Sequence, residues 1–262
     1  MSKRLFSSAY LGILLVMLYA PIFIVIVFSF TDAKVLGNWT GFSLKLYASV
    51  FKGGVQHSLT SALWNTLIIG FSSAFASTLL GTMAAIGIYN LKPVQQKAVQ
   101  LVNTIPILNP DIITAISLFL LFISLGFSQG YTTVILAHIT FCTPYVVLSV
   151  LPRLRRMNPN LYEAALDLGA TPFLALRRIL LPELRPGMIS GFILAFTLSI
   201  DDFVVTLFTI GNVGLETLST YIYADARRGG MTPELRPLSA MIFVIVLLLL
   251  LFINKKAVRK KL

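Results

Sequence analysis

The stretch that decides the fold spans residues 153–182 and reads RLRRMNPNLYEAALDLGATPFLALRRILLP. It carries the start and stop signals of two short helices. Asn158 is suited to cap the first helix, with Pro159 at its opening position, because an Asn side chain accepts from free backbone N–H groups and proline has none to leave unpaired. Gly169 is suited to end this helix, since glycine adopts the left-handed conformation of a C-cap without strain.

A second helix is predicted to begin at Thr171 and Pro172. It is expected to stop before Pro182, because proline inside a helix removes a backbone hydrogen bond. The residues around the join are small: Ala164, Ala165, Gly169 and Ala170. This elbow is narrow enough to enter a cleft on a partner protein, where Glu163 is available for a polar contact. The alternative is an ordinary pair of amphipathic helices lying on lipid headgroups.

On both sides of this stretch the sequence is apolar enough to cross a bilayer. Of the 262 residues, 56% are hydrophobic and 12% charged, and the mean hydropathy is +0.85, whereas a water-soluble domain carries about 25% charged residues. A spanning helix needs about 20 apolar residues. Six segments qualify: 10–30, 63–89, 98–125, 132–151, 187–210 and 238–253. The predicted fold is therefore all-α, a polytopic membrane protein with six transmembrane helices.

The positive charges orient these spans. With the N-terminus in the cytoplasm, the inner segments hold 15 of the 21 Lys and Arg residues, which is the positive-inside pattern. Both termini are then cytoplasmic, in the inner membrane of a cell. Residues 1–262 form one transmembrane domain, and residues 152–186 form its largest cytoplasmic loop, which is shorter than the usual domain minimum of about 50 residues.

Composition also excludes several function classes. The formal net charge of +11 does not indicate nucleic acid, because the basic residues lie in short clusters between apolar runs, where lipid headgroups explain them. Two histidines and one cysteine, Cys142, offer no nucleophile and base pair and no metal-binding spacing, so an enzyme is not expected. No Gly-x4-Gly-Lys phosphate loop occurs, so the chain is not expected to hydrolyse ATP or to carry a cofactor.

Three acidic residues lie within the predicted spans. An ionisable group inside a span is costly, so Asp111, Asp201 and Asp202 are expected to face a cavity or a partner. Asn109 and Pro110 form a helix-start signature, which predicts that the third span is broken there. Counted along straight helices, Asp111 and Asp201 each lie roughly 20 Å from the cytoplasmic end of their spans, so they could form one layer.

Other readings of these acids stay open. Asp111 could instead cap the broken helix through backbone hydrogen bonds, and one of Asp201 and Asp202 could be purely structural. Neighbouring helical residues point about 100° apart, so these two cannot face a pore equally. Aromatic residues that could form cation–π contacts with a passing ammonium group, or else simply pack, are Tyr145, Phe196, Phe203 and Phe208. His138 is expected to form a hydrogen bond between helices.

The cytoplasmic loop also resembles a known signature. Glu163-Ala-Ala, three residues, Gly169, nine residues, Ile179, one residue and Leu181-Pro182 match the EAA signature of bacterial ABC importer permeases. In that family the two loop helices are coupling helices that seat in a separate ATPase. The resemblance therefore assigns ATPase coupling to Glu163, Ala164, Ala165 and Gly169.

Over nearly its whole length the chain resembles the permease subunits of spermidine/putrescine importers. The matching stretches are NPDIITAIS (109–117), AHITFCTPY (137–145) and FTLSIDDFVV (196–205). This resemblance implies an ATPase dimer, a second homologous permease, an extracytoplasmic solute-binding protein and a polyamine substrate. The cost of ionisable groups inside a span and the cation–π capacity of aromatic rings point the same way, and they make these residues the substrate-pathway candidates: Asp111, Asp201, Asp202, Tyr145, Phe196 and Phe203.

One departure from this family concerns the last outer loop. Arg236 stands where asparagine is usual, and Arg227 and Arg228 add positive charge nearby, so a cationic solute is not expected to be drawn to that surface. The loop would instead seat acidic residues of a binding protein. Two alternatives remain: an ABC importer for another small solute, and a secondary transporter or channel that needs no ATPase.

Overall fold

The computed structural model describes residues 2–33, 37–51, 57–158, 160–212, 214–227 and 232–259. All regular secondary structure in these ranges is helical, which confirms the all-α prediction. The helices are α1 (Ser2–Phe28), α2 (Lys45–Phe51), α3 (His57–Tyr89), α4 (Pro93–Leu108), α5 (Asp111–Ser124), α6 (Tyr131–Arg156), α7 (Asn160–Asp167), α8 (Pro172–Ala175), α9 (Leu181–Asp201), α10 (Val204–Thr209), α11 (Leu218–Arg227) and α12 (Leu235–Arg259), with a π-helical turn, Leu176–Leu180, between α8 and α9.

Four helical stretches are long and apolar enough to cross a membrane: Tyr10–Phe28, Leu59–Tyr89, Tyr131–Arg156 and Pro172–Asp201. The pair α4 and α5 makes a fifth if it is counted as one broken span. Near the C-terminus the apolar helix Leu235–Ile245 is shorter, so six spans remain a prediction. The orientation of the termini also remains a prediction.

The third predicted span is broken at the expected place. The axes of α4 and α5 meet at 103°, and the break lies at Asn109 and Pro110, both extended, with ψ of 136° and 135°. Proline disfavours the helical conformation in the residue before it, so the chain turns at Asn109. This bend is far sharper than a helix kink. The depth of roughly 20 Å from the cytoplasmic end of the span, which was counted for Asp111 along a straight helix, therefore does not apply.

Two predicted helix bounds were wrong. The second loop helix does not stop before Pro182, because the π-helical turn widens the backbone there: the Leu181 N–H bonds five residues back to Leu176 O, and α9 begins directly. This widening accommodates the proline ring and its missing donor. The fifth predicted span, 187–210, is not one helix, because α9 ends at Asp201 and α10 starts at Val204.

The chain divides into two compact units. The first comprises Met1–Thr60 and Ile222–Leu262, and in it α12 packs against α1 and α2. Arg236, expected on the outer surface, is only 2% exposed and donates from Nη1 to Ala33 O at 2.8 Å. The backbone carbonyl of Ala33 draws the guanidinium into the unit, so Arg236 does not present its charge at that surface as expected, whereas Arg227 is exposed and its part of the expectation stays a prediction.

The second unit, Ser61–Tyr221, is built on the pair α6 and α9. The face of α9 toward α6 carries a small residue at every fourth position: Gly187, Gly191, Ala195 and Ser199, all buried. A Cβ on Gly191 would lie 3.1 Å from Val146 Cγ1 of α6. Small residues at this spacing let two helices approach closely in a membrane, and Cys142 packs into the same core.

Candidate functional site

The helix caps predicted in the cytoplasmic loop are present. Asn158 Oδ1 accepts from Asn160 N at 3.0 Å at the start of α7, while Pro159 lies outside the described residues. Gly169 ends α7 with φ of +87°. Its N–H bonds Leu166 O at 2.9 Å, and the following N–H bonds Ala165 O at 3.0 Å, so the last carbonyls of the helix are satisfied.

The second loop helix begins as expected. Thr171 has extended backbone, and its Oγ1 accepts from Leu174 N at 3.3 Å while Pro172 occupies the first turn of α8. Through the π-helical turn this short helix runs directly into α9. The elbow therefore lies at one end of a continuous helical stretch that reaches Asp201.

The elbow exposes both the predicted residues and two apolar side chains that sequence reasoning missed. Glu163, Ala164 and Gly169 are exposed, whereas Ala165 is buried. Leu168 is 89% exposed and Phe173 is 70% exposed. The signal that could have found them is a large apolar residue on each side of the Gly169 cap, close to the small residues of the elbow. These are two large apolar side chains that the described part of the chain leaves uncovered on the elbow.

A cleft of about 230 Å³ lies behind the elbow. Tyr162 and Glu163 line it from α7, and Ile86, Tyr89 and Asn90 line it from the end of α3. Leu154 and Met157, at the end of α6, and Leu176 and Leu180, in the π-helical turn, complete the lining. The loop thus packs against the ends of two long helices, α6, which precedes it directly in the sequence, and α3, which lies further upstream, and Glu163 lines this cleft.

The two neighbouring acids have different surroundings. The Asp202 carboxylate accepts from Val205 N at 3.3 Å and from both N and Oγ1 of Thr206 at 2.7 Å, and it lies 3.4 Å from His138 Nε2. Asp202 therefore caps α10, as one of the two acids could have been expected to do. The Asp201 side chain is exposed and forms no hydrogen bond or ion pair with the described part of the chain.

Asp111 resembles Asp201 rather than Asp202. It is the first residue of α5 and is exposed, and its carboxylate makes no capping bond there. The free N–H groups of Ile113 and Thr114 bond Pro110 O instead, at 3.0 and 3.3 Å. The alternative that Asp111 caps the broken helix was therefore wrong. The Tyr145 hydroxyl of α6 lies within electrostatic range of the Asp111 carboxylate.

The aromatic candidates also differ in their surroundings. Phe196 is half-buried and stacks on Phe192, with ring centroids 6.0 Å apart and planes at 7°, and Phe192 meets Phe71 of α3 edge to face at 5.7 Å. Packing already accounts for Phe196. Phe203 is half-buried in the two-residue break beside Asp202, and Tyr145 is half-buried near Asp111.

The hydrogen bond predicted for His138 joins three elements. His138, 1% exposed, bonds Ser199 Oγ of α9 through Nδ1 at 2.6 Å and Thr206 Oγ1 of α10 through Nε2 at 3.0 Å. Ser199 and Thr206 were missed at the sequence level. The signal available there was a set of hydroxyl residues inside apolar runs on both sides of the acidic pair.

The architecture is that of an importer permease. Over 98% of its length the chain superposes on 96% of a chain in the crystal structure of a bacterial ABC transporter that imports the acidic polysaccharide alginate, with a TM-score of 0.70 and 20% sequence identity. This similarity defines the fold. Residues 77–255 match the family described as binding-protein-dependent transport system inner membrane component. The chain belongs to this family and is therefore a transport permease of the inner membrane.

Two relatives of this chain are named as permease proteins of polyamine transport systems. The spermidine/putrescine transport system permease protein PotC of Escherichia coli strain K12 is 36% identical over 256 residues, which cover 96% of this chain and 93% of PotC. The putrescine transport system permease protein PotI of the same strain is 36% identical over 232 residues, covering 86% of this chain and 81% of PotI.

Proposed function

We propose that this chain is the membrane-spanning subunit of an ABC importer for spermidine or putrescine, driven by a separate ATPase dimer. It would work with a second homologous permease and with an extracytoplasmic protein that delivers the polyamine. The proposal rests on one observation: a capped, exposed elbow occurs in a chain that is similar to polyamine permeases over nearly its full length. The chain itself would bind no nucleotide and catalyse no reaction.

The elbow is the proposed seat for the ATPase. Glu163, Ala164, Ala165 and Gly169 would form it, with Ala165 acting from inside by packing α7 against the unit. Leu168 and Phe173, exposed on either side of the cap, would enter an apolar cleft on the ATPase. Because α8 continues into α9, rotation of the elbow would be transmitted along α9 to Asp201.

The exposed acids are the proposed contacts for the cargo. Asp201 and Asp111 would attract the ammonium groups of a polyamine, since both carboxylates are exposed and unpaired within the described residues. Tyr145 and Phe203 would line the route beside them, and Phe196 would support it by packing. Asp202, whose carboxylate is already bonded, would act on the pathway through its neighbours. The burial of Arg236 removes one positive charge that a cation would otherwise meet.

Both termini and the elbow would face the cytoplasm. This orientation is testable because the single native cysteine, Cys142, is fully buried. In a Cys142→Ala background, Leu168→Cys should react with a membrane-impermeant maleimide only when the cytoplasmic face is open. Ser128→Cys, in the turn between α5 and α6, should react in intact cells. Labelling of Leu168→Cys in intact cells would overturn the orientation.

The function is tested by uptake into proteoliposomes that contain the chain with its ATPase, partner permease and binding protein. Radiolabelled spermidine should accumulate only with ATP and binding protein, and maltose, an uncharged control solute, should not. Accumulation without ATP would contradict the ABC mechanism. ATP hydrolysis stimulated by the binding protein, with no uptake of spermidine or putrescine, would leave the mechanism intact and refute the polyamine cargo.

A further inference from the structure

A chain of buried hydrogen bonds connects α6, α9 and α10 at the break beside Asp201. It consists of Ser199, His138, Thr206 and Asp202, in that order, with contacts of 2.6, 3.0 and 2.7 Å. Ser199, His138 and Thr206 are at most 4% exposed, and the Asp202 side chain is 9% exposed. We name these four residues the hinge network.

In the hinge network each side chain donates a hydrogen bond to the next, from Ser199 to Asp202. The Thr206 hydroxyl has one proton and donates it to Asp202 Oδ2. Its contact with His138 therefore requires that Nε2 carries a proton and donates to Thr206 Oγ1. In a neutral ring Nδ1 is then the acceptor, and Ser199 donates to it. All four side chains are satisfied in this one arrangement, so the hinge network favours a single geometry of the break.

Asp202 is held at its backbone as well as at its carboxylate. Ser219 of α11 donates from Oγ to Asp202 O at 2.7 Å. The carboxylate takes the first free N–H groups of α10, and α10 packs through Val205 onto Ala115 and Phe122 of α5. The break is consequently fixed to α11 on one side and to α5, the helix that begins with Asp111, on the other.

This anchoring separates the two neighbouring acids. Asp201 is the last helical residue of α9, whereas Asp202 has ψ of 131° and leaves the helix. The carboxylate of Asp202 is drawn inward by its four partners. Asp201 is the last residue of α9, and the chain is fixed one residue later by the bonds of Asp202. The direction of the Asp201 side chain therefore depends on those bonds.

We propose that the hinge network positions the Asp201 carboxylate for a polyamine cargo, with His138, Ser199, Thr206 and Asp202 as positioning residues that do not themselves touch the cargo. This inference rests on the proposed function, which supplies the cargo. It goes beyond capping, because a cap alone requires only Asp202 and the backbone of α10. His138 and Ser199 add a connection from that cap to α6 and back to α9, two residues before Asp201.

A matched pair of variants at Thr206 tests the inference. Thr206→Val keeps the shape and loses the hydroxyl, and Thr206→Ser keeps the hydroxyl. In the assembled transporter, Thr206→Val should raise the spermidine concentration for half-maximal uptake by about tenfold, the size expected when one hydrogen bond to a charged group is lost. The ATP hydrolysis rate and Thr206→Ser should stay near wild type. Ser199→Ala, which removes the other end of the hinge network, should act in the same direction.

A second measurement needs no cargo. In the Cys142→Ala background, Asp201→Cys reports the direction of this side chain through its rate of reaction with a cationic methanethiosulfonate. Adding Thr206→Val or Ser199→Ala should change that rate by about tenfold, and adding Thr206→Ser should not. The reaction rate of Ser128→Cys, remote in the outer turn, should be the same in every background.

The outcomes are distinguishable. If the rate at Asp201→Cys is the same in Thr206→Val, Ser199→Ala and wild type, the hinge network does not position this residue, and the inference is overturned. If the rate responds but no polyamine is taken up by the wild-type transporter, the positioning is supported and the proposed cargo fails. If Thr206→Val and Thr206→Ser impair uptake equally, packing at this residue matters rather than its hydrogen bond, and the inference is again overturned.

Discussion

The loop of residues 153–182 and the hinge network both lie where helices of the second unit are interrupted, and the backbone groups freed there are satisfied in opposite ways. At the loop, Gly169 closes α7 with backbone bonds alone, and the nearby side chains of Leu168 and Phe173 are left exposed. At the hinge network, side chains close the break, and His138 and Thr206 are buried.

This difference indicates where each region finds its partners. The loop is closed by backbone bonds at Gly169 and by the short side chains of Asn158 and Thr171 at its helix starts. Its larger exposed side chains are left free for another protein, so substitutions of those side chains should affect assembly more than folding. A break closed by buried side chains depends on those side chains for its shape, so substitutions there should affect stability and cargo affinity together. The variants described below distinguish effects on assembly or cargo affinity from effects on stability.

The largest expected effect is at Gly169. Gly169→Asp forces a side chain into a left-handed conformation and places a charge on the elbow, so uptake should fall about 100-fold or more, as for loss of a whole contact site. Co-purification of the ATPase should be lost with it. Gly126→Asp is the matched control, because Gly126 has φ of +73° and, like Gly169, an open position for Cβ, but lies in the turn after α5. Full uptake in Gly169→Asp would remove the elbow from the coupling mechanism.

The next effect separates the two acids. Asp202→Ala should lower the free energy of unfolding by about 3 kcal/mol, because the buried Thr206 hydroxyl and two backbone N–H groups lose their acceptor. Asp201→Ala should leave the thermal unfolding midpoint in detergent unchanged and should raise the spermidine concentration for half-maximal uptake by about tenfold, as for a lost charge-assisted contact. Equal unfolding midpoints for the two variants would contradict the assignment of Asp202 to the structure.

A smaller effect on stability alone is expected where α3 meets α6. In Gly81→Ala the new Cβ would lie 2.6 Å from Val146 Cβ, so the helices must separate, at a cost of about 2 kcal/mol. Gly87→Ala on the same helix meets nothing within 4 Å and should gain up to about 1 kcal/mol from helix propensity. Val146→Ala added to Gly81→Ala should restore part of the loss, and no recovery would place the cause elsewhere.

The smallest effect is expected for an exposed ion pair in the first unit. Lys45 Nζ donates to Asp32 at 2.9 Å, and this hydrogen bond raises the pKa of Lys45 above its ordinary 10.5. Since the folded pKa is the higher one, its small contribution to stability is complete below 10.5 and is lost as pH rises through the raised value. Asp32→Asn should leave the unfolding midpoint at pH 7 nearly unchanged. A large drop there would mean that the pair is shielded from solvent.

Local signals in the sequence predicted the helix caps in the loop of residues 153–182. Asn158, Gly169 and Thr171 act through neighbours at most five residues away, so their roles can be read from spacing. The same holds for the break at Pro110, which comes from a steric restriction on the residue before proline. The function of these elements, in contrast, came from resemblance, because spacing alone also fits an interfacial helix pair.

The break after Asp201 left only a weak local signal, which is an aspartate three and four residues before the N–H groups that it accepts from. Residues 187–210 are apolar and contain no proline after Pro186, so they are typical of one continuous span. The interruption depends on His138 and Ser219, which lie 64 residues before and 17 residues after Asp202 in the chain. The course of α9 through Pro182 was missed for a related reason, since a π-helical turn satisfies the backbone in a way that proline statistics do not anticipate.

The sequence by itself determined that the chain is helical and membrane-embedded, where the caps Asn158, Gly169 and Thr171 lie in the loop, and which acids are costly enough to matter, because these follow from composition and from contacts between near neighbours. Only the tertiary structure decided that Asp202 is bonded while Asp201 is exposed, and that Arg236 is buried. The physical reason is that burial and hydrogen-bond partners come from residues distant in the chain, and they set the surroundings of a charge more strongly than its position in a helix does.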